Sequence, residues 1–60
     1  MFEELREKAT ENLSHWMGPA SYDNREVVRY SDGYMCNEWD SHLEFKTQDI
    51  KVALDFLFPA

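Results

Sequence analysis

The sequence has few of the residues that would mark a secreted, disulfide-bonded or nucleic-acid-binding chain. Its single cysteine, Cys36, cannot form an intramolecular disulfide, which favours a reducing, cytoplasmic compartment, or the host cytoplasm if a phage encodes the chain. Six Lys and Arg residues stand against twelve Asp and Glu residues. The resulting net charge of −6 argues against direct binding to nucleic acid or anionic lipid. Residues 2–17 mix charged and apolar positions, so we expect neither a signal peptide nor a membrane span.

The sequence also has few of the features that an enzyme requires. Sixty residues form one domain, residues 1–60, in which a core, a pocket and a rigid catalytic shell compete for the same side chains. Only two glycines are present, so a glycine-rich phosphate loop is absent. Two Trp, three Tyr and four Phe residues provide the large buried area that favours folding at this length. We therefore expect a binding domain and no enzyme.

Two amphipathic segments predict helices at the two ends of the chain. Apolar residues at intervals of three and four predict a helix over about residues 2–17, stopped by Gly18-Pro19. The same spacing predicts a second helix over about 48–58, with Thr47 as its N-cap and Pro59 after its end.

The middle of the chain has the composition of β-strands. Residues 25–30, 34–39 and 42–46 predict three strands, and the turn-forming stretch 18–24 before them predicts a loop. The fold class is therefore α+β, an αβββα domain whose three-stranded antiparallel sheet packs with two helices.

Two registers are open for the hairpin between the first two predicted strands. A two-residue turn at Asp32-Gly33 pairs Tyr30 with Met35, whereas a type I turn with a left-handed Gly33 pairs Tyr30 with Tyr34. We prefer the second register because it collects apolar side chains on one face of the hairpin, namely those of Val28, Tyr30, Tyr34 and Cys36.

Three glutamates form a row on the first predicted helix. Glu3, Glu7 and Glu11 recur every four residues, on the face away from the apolar stripe. Like charges at this spacing repel one another, so the row is either an ordinary solvated face or a stripe that mimics the phosphates of a nucleic acid. Its spacing of about 6 Å fits the second interpretation.

A second acidic group combines carboxylates with aromatic residues. Aromatic anchors among charged side chains are typical of binding hot spots, although the same carboxylates could simply keep a sheet edge soluble. The sequence leaves open whether Tyr34 or Trp39 is the exposed aromatic residue. The candidate residues are Asp32, Tyr34, Glu38, Trp39, Asp40 and Glu44.

Metal binding and catalysis have weak support in the sequence. Cys36 and His42 are a lone pair, and neither Asp40 nor His15 completes a sequence-local zinc motif. An activated thiolate also requires a cleft that excludes water, and nothing in the sequence indicates one. We expect no metal, no cofactor and no catalytic residue, with Cys36 as a small buried side chain.

The C-terminal segment carries more apolar residues than one sheet face can cover. Val52, Phe56 and Phe58 form the excess, and a symmetric dimer through the second helix would bury them. If that helix lies deep in the fold, the same residues belong to the core instead.

Size and charge together make the chain similar to the small inhibitors that phages and mobile elements encode, anti-CRISPR proteins among them. We therefore expect it to bind a basic, nucleic-acid-handling surface of a host nuclease, polymerase or CRISPR effector and to block it by nucleic-acid mimicry. The alternative is a non-enzymatic assembly or antitoxin-like module that acts through its apolar C-terminal helix. Neither alternative involves a membrane.

Overall fold

The computed structural model describes residues 2–59 and has an α+β architecture, which confirms the predicted class. Its antiparallel sheet has four strands in the order β1-β2-β3-β4, and not the predicted three. Met1 and Ala60, the ends of the predicted domain, lie outside the described residues. The elements in chain order are α1 (Glu3–Ser14), β1 (Ala20–Tyr22), β2 (Arg25–Tyr30), β3 (Gly33–Glu38), β4 (Leu43–Thr47) and α2 (Ile50–Leu57).

Helix α1 ends at Ser14, before the stop that Gly18 predicts. Trp16 adopts a φ of +56°, and the N–H of Met17 donates to the carbonyl of Asn12 at 2.9 Å. This bond is the six-to-one hydrogen bond of a Schellman motif, in which glycine usually takes the left-handed position. A tryptophan in that position explains why a prediction based on glycine placed the end of the helix too late.

Strand β1 lies in the segment predicted as a loop. Its residues pair with the first half of β2, Ala20 opposite Val27 and Tyr22 opposite Arg25. Three residues are too few to show the alternation that identifies a strand, and the Gly, Pro, Asp and Asn around them favour turns. The fourth strand therefore depends on tertiary pairing with β2.

The β2–β3 hairpin turns at Ser31-Asp32, so the observed register is neither of the two considered. Tyr30 pairs with Gly33, and Tyr34 pairs with Arg29. The preferred register, with Tyr30 opposite Tyr34, is wrong, because these two residues lie on opposite faces of the sheet.

Burial excludes the preferred register. Val27 and Cys36 are direct partners in β2 and β3, and both are fully buried under the helices. A slip of one residue would turn the side chains of one strand to the opposite face, so Val27 and Cys36 would no longer share the core. The other considered register, with Tyr30 opposite Met35, differs by two residues and would keep the observed faces.

Both helices pack on one face of the sheet. The core between the layers contains Ala9, Leu13, Ala20, Val27, Cys36, Ala53, Leu54, Leu57 and Phe58. Neither helix covers the other face, which we call the open face. By strand alternation its residues are Ser21, Glu26, Val28, Tyr30, Met35, Asn37, Glu44 and Lys46.

Arg29 of β2 holds the C-terminal end of α1. Its Nη1 donates to the carbonyl oxygens of Leu13 and Ser14 at 2.8 and 2.9 Å. The guanidinium also lies over the ring of Trp16, 4.4 Å from the centroid. Because the last carbonyls of a helix have no partner within the helix, Arg29 satisfies them and places a positive charge at the negative end of the dipole.

Arg25, at the other end of β2, holds the C-terminal end of α2. Its Nη1 donates to the carbonyl of Phe56 at 2.6 Å, and its guanidinium lies 4.6 Å from the centroid of the Phe56 ring. Its Nε donates to Oε2 of Glu38 on the neighbouring strand at 2.9 Å. One strand thus supplies a donor to the C-terminal end of each helix.

Helix α2 begins at Ile50, and its N-cap is Asp49 and not Thr47. The Oδ1 of Asp49 accepts a hydrogen bond from the N–H of Lys51 at 2.9 Å. Thr47 is the last residue of β4, and its Oγ1 accepts from the N–H of Asp49 at 3.1 Å. The threonine therefore closes the turn that leads into the helix, and the aspartate caps the helix itself.

Replacing Gly33 by alanine tests the close contact behind the β2–β3 turn. Gly33 has a φ of +148°, and an added Cβ would lie 2.7 Å from the carbonyl oxygen of Thr47. We expect Gly33→Ala to lower the free energy of unfolding by about 1–3 kcal/mol in urea denaturation. Gly18→Ala is the control, because Gly18 also has a positive φ, +120°, but within residues 2–59 no heavy atom beyond Gly18 and its two chain neighbours lies within 4 Å of its added Cβ. Equal losses in the two variants would show that the contact with Thr47 is unimportant.

Candidate partner-binding surfaces

The α1 row, Glu3, Glu7 and Glu11, is exposed along one side of the helix. The rise of an α-helix places successive members about 6 Å apart along its axis. Within residues 2–59 these carboxylates take part in no salt bridge or side-chain hydrogen bond. The row therefore presents three solvated negative charges.

An open groove of about 600 Å³ borders the α1 row and separates it from α2. Leu54 of α2 lines its apolar side. Arg6 of α1 reaches Asp55 of α2, with 3.0 Å between Nη1 and Oδ1. The arginine nearest the row is thus paired with the opposite helix, although the exposure of both side chains keeps the contribution of this pair to stability small.

The second acidic group does not form one cluster. Asp32 lies in the β2–β3 turn, whereas Asp40 follows the other end of β3. A six-residue strand separates these two ends by about 17 Å. Glu44 is on the open face, and Tyr34 is half-buried against the core below the helices. Asp32 and Tyr34 are therefore remote from the other members.

Trp39, and not Tyr34, is the exposed aromatic residue of this group, with 55% of its surface accessible. Its backbone N–H donates to the carbonyl of Asn24 at 2.9 Å, and the Nδ2 of Asn24 donates to Oδ2 of Asp40 at 2.7 Å. These bonds tie the β1–β2 turn to the end of β3. We call the surface formed by Trp39, Asp40, Leu43 and Glu44 the Trp39 end.

Glu38 has a structural role beside the Trp39 end. Its Oε1 accepts a hydrogen bond from the Ser41 hydroxyl at 2.6 Å, and its Oε2 accepts the bond from Arg25. These bonds, that of Ser41 first and that of Arg25 second, hold the pKa of Glu38 below its usual value. The carboxylate is ionised but already occupied, so it is poorly suited to the partner contact predicted for it.

The predicted apolar interface residues have three different environments. Val52 is 43% exposed, and Phe56 is half-buried with its ring centroid 5.2 Å from that of Phe45. Phe58 is only 5% exposed, and its ring lies 5.2 Å from that of Tyr22. Phe58 therefore belongs to the core, since β1 provides the packing partner that the predicted three-stranded sheet lacked.

Cys36 and His42 occupy unrelated places. Cys36 is buried in the centre of the core, and this burial raises the pKa of its thiol and disfavours the thiolate. His42 is exposed in the turn before β4. No group of three or more His, Cys, Asp and Glu side chains in the described part of the chain could hold a metal ion.

Two residues that the sequence did not single out lie beside the predicted site residues. Leu43 is 47% exposed beside Trp39, and Glu26 lies directly opposite Asn37, which in turn lies opposite Glu44. Two carboxylates therefore flank Asn37 on the open face. Strand alternation alone assigns none of these neighbours, because the pairing becomes apparent only when the register is known.

Comparisons with known proteins find no relative. No family model matches the chain, and neither the curated proteins nor the solved structures give a significant match. No helix within residues 2–59 is long and apolar enough to cross a membrane. The surfaces described above are therefore the basis for a functional proposal.

Replacing Glu38 by glutamine tests the ion pair through its pH dependence. Because folding lowers the pKa of Glu38, its stabilising contribution is complete above the unfolded value of about 4.3 and is lost as the pH falls through the lower folded value. We expect Glu38→Gln to be less stable than wild type at pH 7, with a difference that narrows towards pH 3 in urea denaturation. Glu44→Gln is the control and should stay within about 0.5 kcal/mol of wild type at pH 7. A Glu38→Gln deficit that is the same at both pH values would contradict the assignment.

Proposed function

We propose that this protein is a small, non-catalytic inhibitor that binds a basic, nucleic-acid-handling surface of another protein and blocks it by nucleic-acid mimicry. The target would be a nuclease, a polymerase or a CRISPR effector. The observation that carries the proposal is the α1 row, whose three exposed carboxylates project from one rigid helix at regular spacing. The helix backbone fixes the spacing of the three residues, so only their side chains lose conformational freedom when the row meets a complementary surface.

The use of the arginines supports this proposal. Arg6, Arg25 and Arg29 are all engaged in contacts within the chain. Lysines 8, 46 and 51 are the remaining cations of the sequence, against twelve acidic residues. The fold thus leaves an excess of negative charge at the surface, which attracts basic partners and raises the rate of their encounter.

The two acidic surfaces have different parts in this proposal because they lie in different layers. The α1 row is in the helix layer, whereas Glu44 is on the open face and Trp39 follows β3. A flat partner surface that lies on the helix layer does not reach the open face. We assign phosphate mimicry to the α1 row and a second contact, anchored by the exposed ring of Trp39, to the Trp39 end.

The second candidate is an assembly or antitoxin-like module that uses α2. Val52 and Phe56 are one helical turn apart, and the exposed surface of Val52 favours this candidate. Its binding would survive removal of the α1 charges and would be lost in Val52→Ser. Mimicry predicts the opposite result for each variant.

The test removes the charges of the α1 row and keeps the shape of its side chains. The target is first captured from a cell lysate as a basic nucleic-acid enzyme that binds the wild-type protein. We expect Glu3→Gln/Glu7→Gln/Glu11→Gln to weaken binding to this enzyme by about tenfold or more, since three solvated contacts of about 0.5 kcal/mol each are lost. The measurement is displacement of labelled nucleic acid from that enzyme, followed by fluorescence anisotropy. Raising the salt concentration from about 0.05 to 0.3 M should weaken the wild-type complex.

The matched control is Glu4→Gln/Asp23→Asn/Glu26→Gln, which changes the net charge equally at other exposed or half-buried positions. It should retain most of the affinity. If both triple variants lose the same affinity, net charge and not the row is responsible. If salt leaves binding unchanged, the mimicry proposal fails.

A further inference from the structure

The sheet has one long free edge. Strand β1 forms one edge with three residues, whereas β4, Leu43–Thr47, forms the other with five. On its outer side β4 pairs with no strand in the described part of the chain. An exposed strand of this length offers its backbone groups to another strand.

The hairpin determines which backbone groups face outward. Tyr30 and Gly33 close a two-residue turn, and such a closing pair exchanges both of its hydrogen bonds. Alternation along β3 then directs the backbone groups of Cys36 towards Phe45 in β4. The N–H and C=O groups of Glu44 and Lys46 consequently point to the free edge.

The sequence of this edge is complementary to itself. In an antiparallel pair of two β4 strands centred on Phe45, Glu44 lies opposite Lys46 of the second copy, and Lys46 lies opposite Glu44 of the second copy. Centring the pair on Glu44 or on Lys46 would instead place like charges opposite each other. The Phe45 register is the one of these three that matches opposite charges.

Apolar side chains flank the same edge on the helix side. Phe56 packs against Phe45 of β4, and Val52 lies one turn earlier on the same side of α2. Leu43 and Val52 are the exposed members of this flank, at 47% and 43%. A second copy related by a two-fold axis brings the same flank towards them.

We propose that the protein forms a symmetric homodimer through antiparallel pairing of its two β4 strands, centred on Phe45. The two sheets join into one continuous sheet, with both helix layers on the same side. The α1 row lies at a distance from this seam, in the helix layer, so the dimer presents two rows. This proposal does not depend on nucleic-acid mimicry.

The dimer is expected to be weak. A single short strand edge buries little area, and small interfaces belong to transient complexes. The net charge of −6 on each copy also opposes association, although at about 0.15 M salt this repulsion is screened beyond about 8 Å. Sedimentation equilibrium up to about 1 mM protein covers the expected range of Kd.

Charge exchange at the seam is the test. Glu44→Lys and Lys46→Glu each replace two opposite-charge contacts of the dimer by two like-charge contacts, whereas the double variant Glu44→Lys/Lys46→Glu restores them with the original net charge. We expect each single variant to raise the dimer Kd about tenfold or more, and the double variant to return it to within about threefold of wild type. Both residues are exposed, and circular dichroism verifies the fold.

Two controls make the result specific. Lys46 also lies 5.4 Å from the centroid of the Tyr30 ring in its own chain, and the double variant loses this contact too, so recovery of the dimer must come from the exchanged pair. The α1 triple variant should leave the dimer Kd unchanged, which separates this proposal from mimicry. A wild type that stays monomeric to about 1 mM overturns the proposal, as does a dimer that the single variants leave intact or that the double variant fails to restore.

Discussion

The attachment of both helices to β2 through Arg25 and Arg29 is the interaction on which the rest of the structure depends. A chain of 60 residues with one cysteine has no disulfide to fix its layers, and its core is small. Each helix ends in carbonyl groups that need donors. Arg29 supplies them for α1 and Arg25 for α2, so one strand positions the C-terminal ends of both helices.

This arrangement connects the fold to its surface charge. Cations that hold the helices cannot neutralise carboxylates elsewhere, and Arg6 is likewise paired with Asp55. The acidic excess of the composition therefore becomes an acidic surface, with the α1 row as its most regular part. Glu38 is the exception, because it completes the site of Arg25 and belongs to the fold. The free edge of β4, which carries Glu44 and Lys46, is a separate feature.

The sequence predicts the elements whose residue pattern is periodic along the chain. Both helices and the hairpin follow from apolar spacing and turn composition, and the exposure of the α1 row follows from the same helical period. Strand β1 and the hairpin register could not be predicted, because each depends on contacts between distant residues. The end of α1 at Ser14 could not be predicted either, because Trp16 takes the left-handed position that glycine usually occupies. Arg29, which holds that helix end, comes after it in the chain and in another element.

The same distinction applies to the candidate site. Glu38 looks free in the sequence because its partner Arg25 is thirteen positions away, and only the β2–β3 register brings them together. Phe58 looks like surplus apolar surface until β1 places Tyr22 beside it. The α1 row needed no such information, since a single helix defines it.

Urea denaturation of two variants tests most directly whether the arginines of β2 hold the helices. Arg29→Gln removes a cation that holds the end of α1, whereas Lys8→Gln removes an exposed cation with the same change in net charge. We expect Arg29→Gln to lower the free energy of unfolding by about 1.5–3 kcal/mol, and Lys8→Gln to change it by no more than about 0.5 kcal/mol. Small, equal changes in the two variants would show that Arg29 is an ordinary surface charge and that the apolar core alone holds the helices.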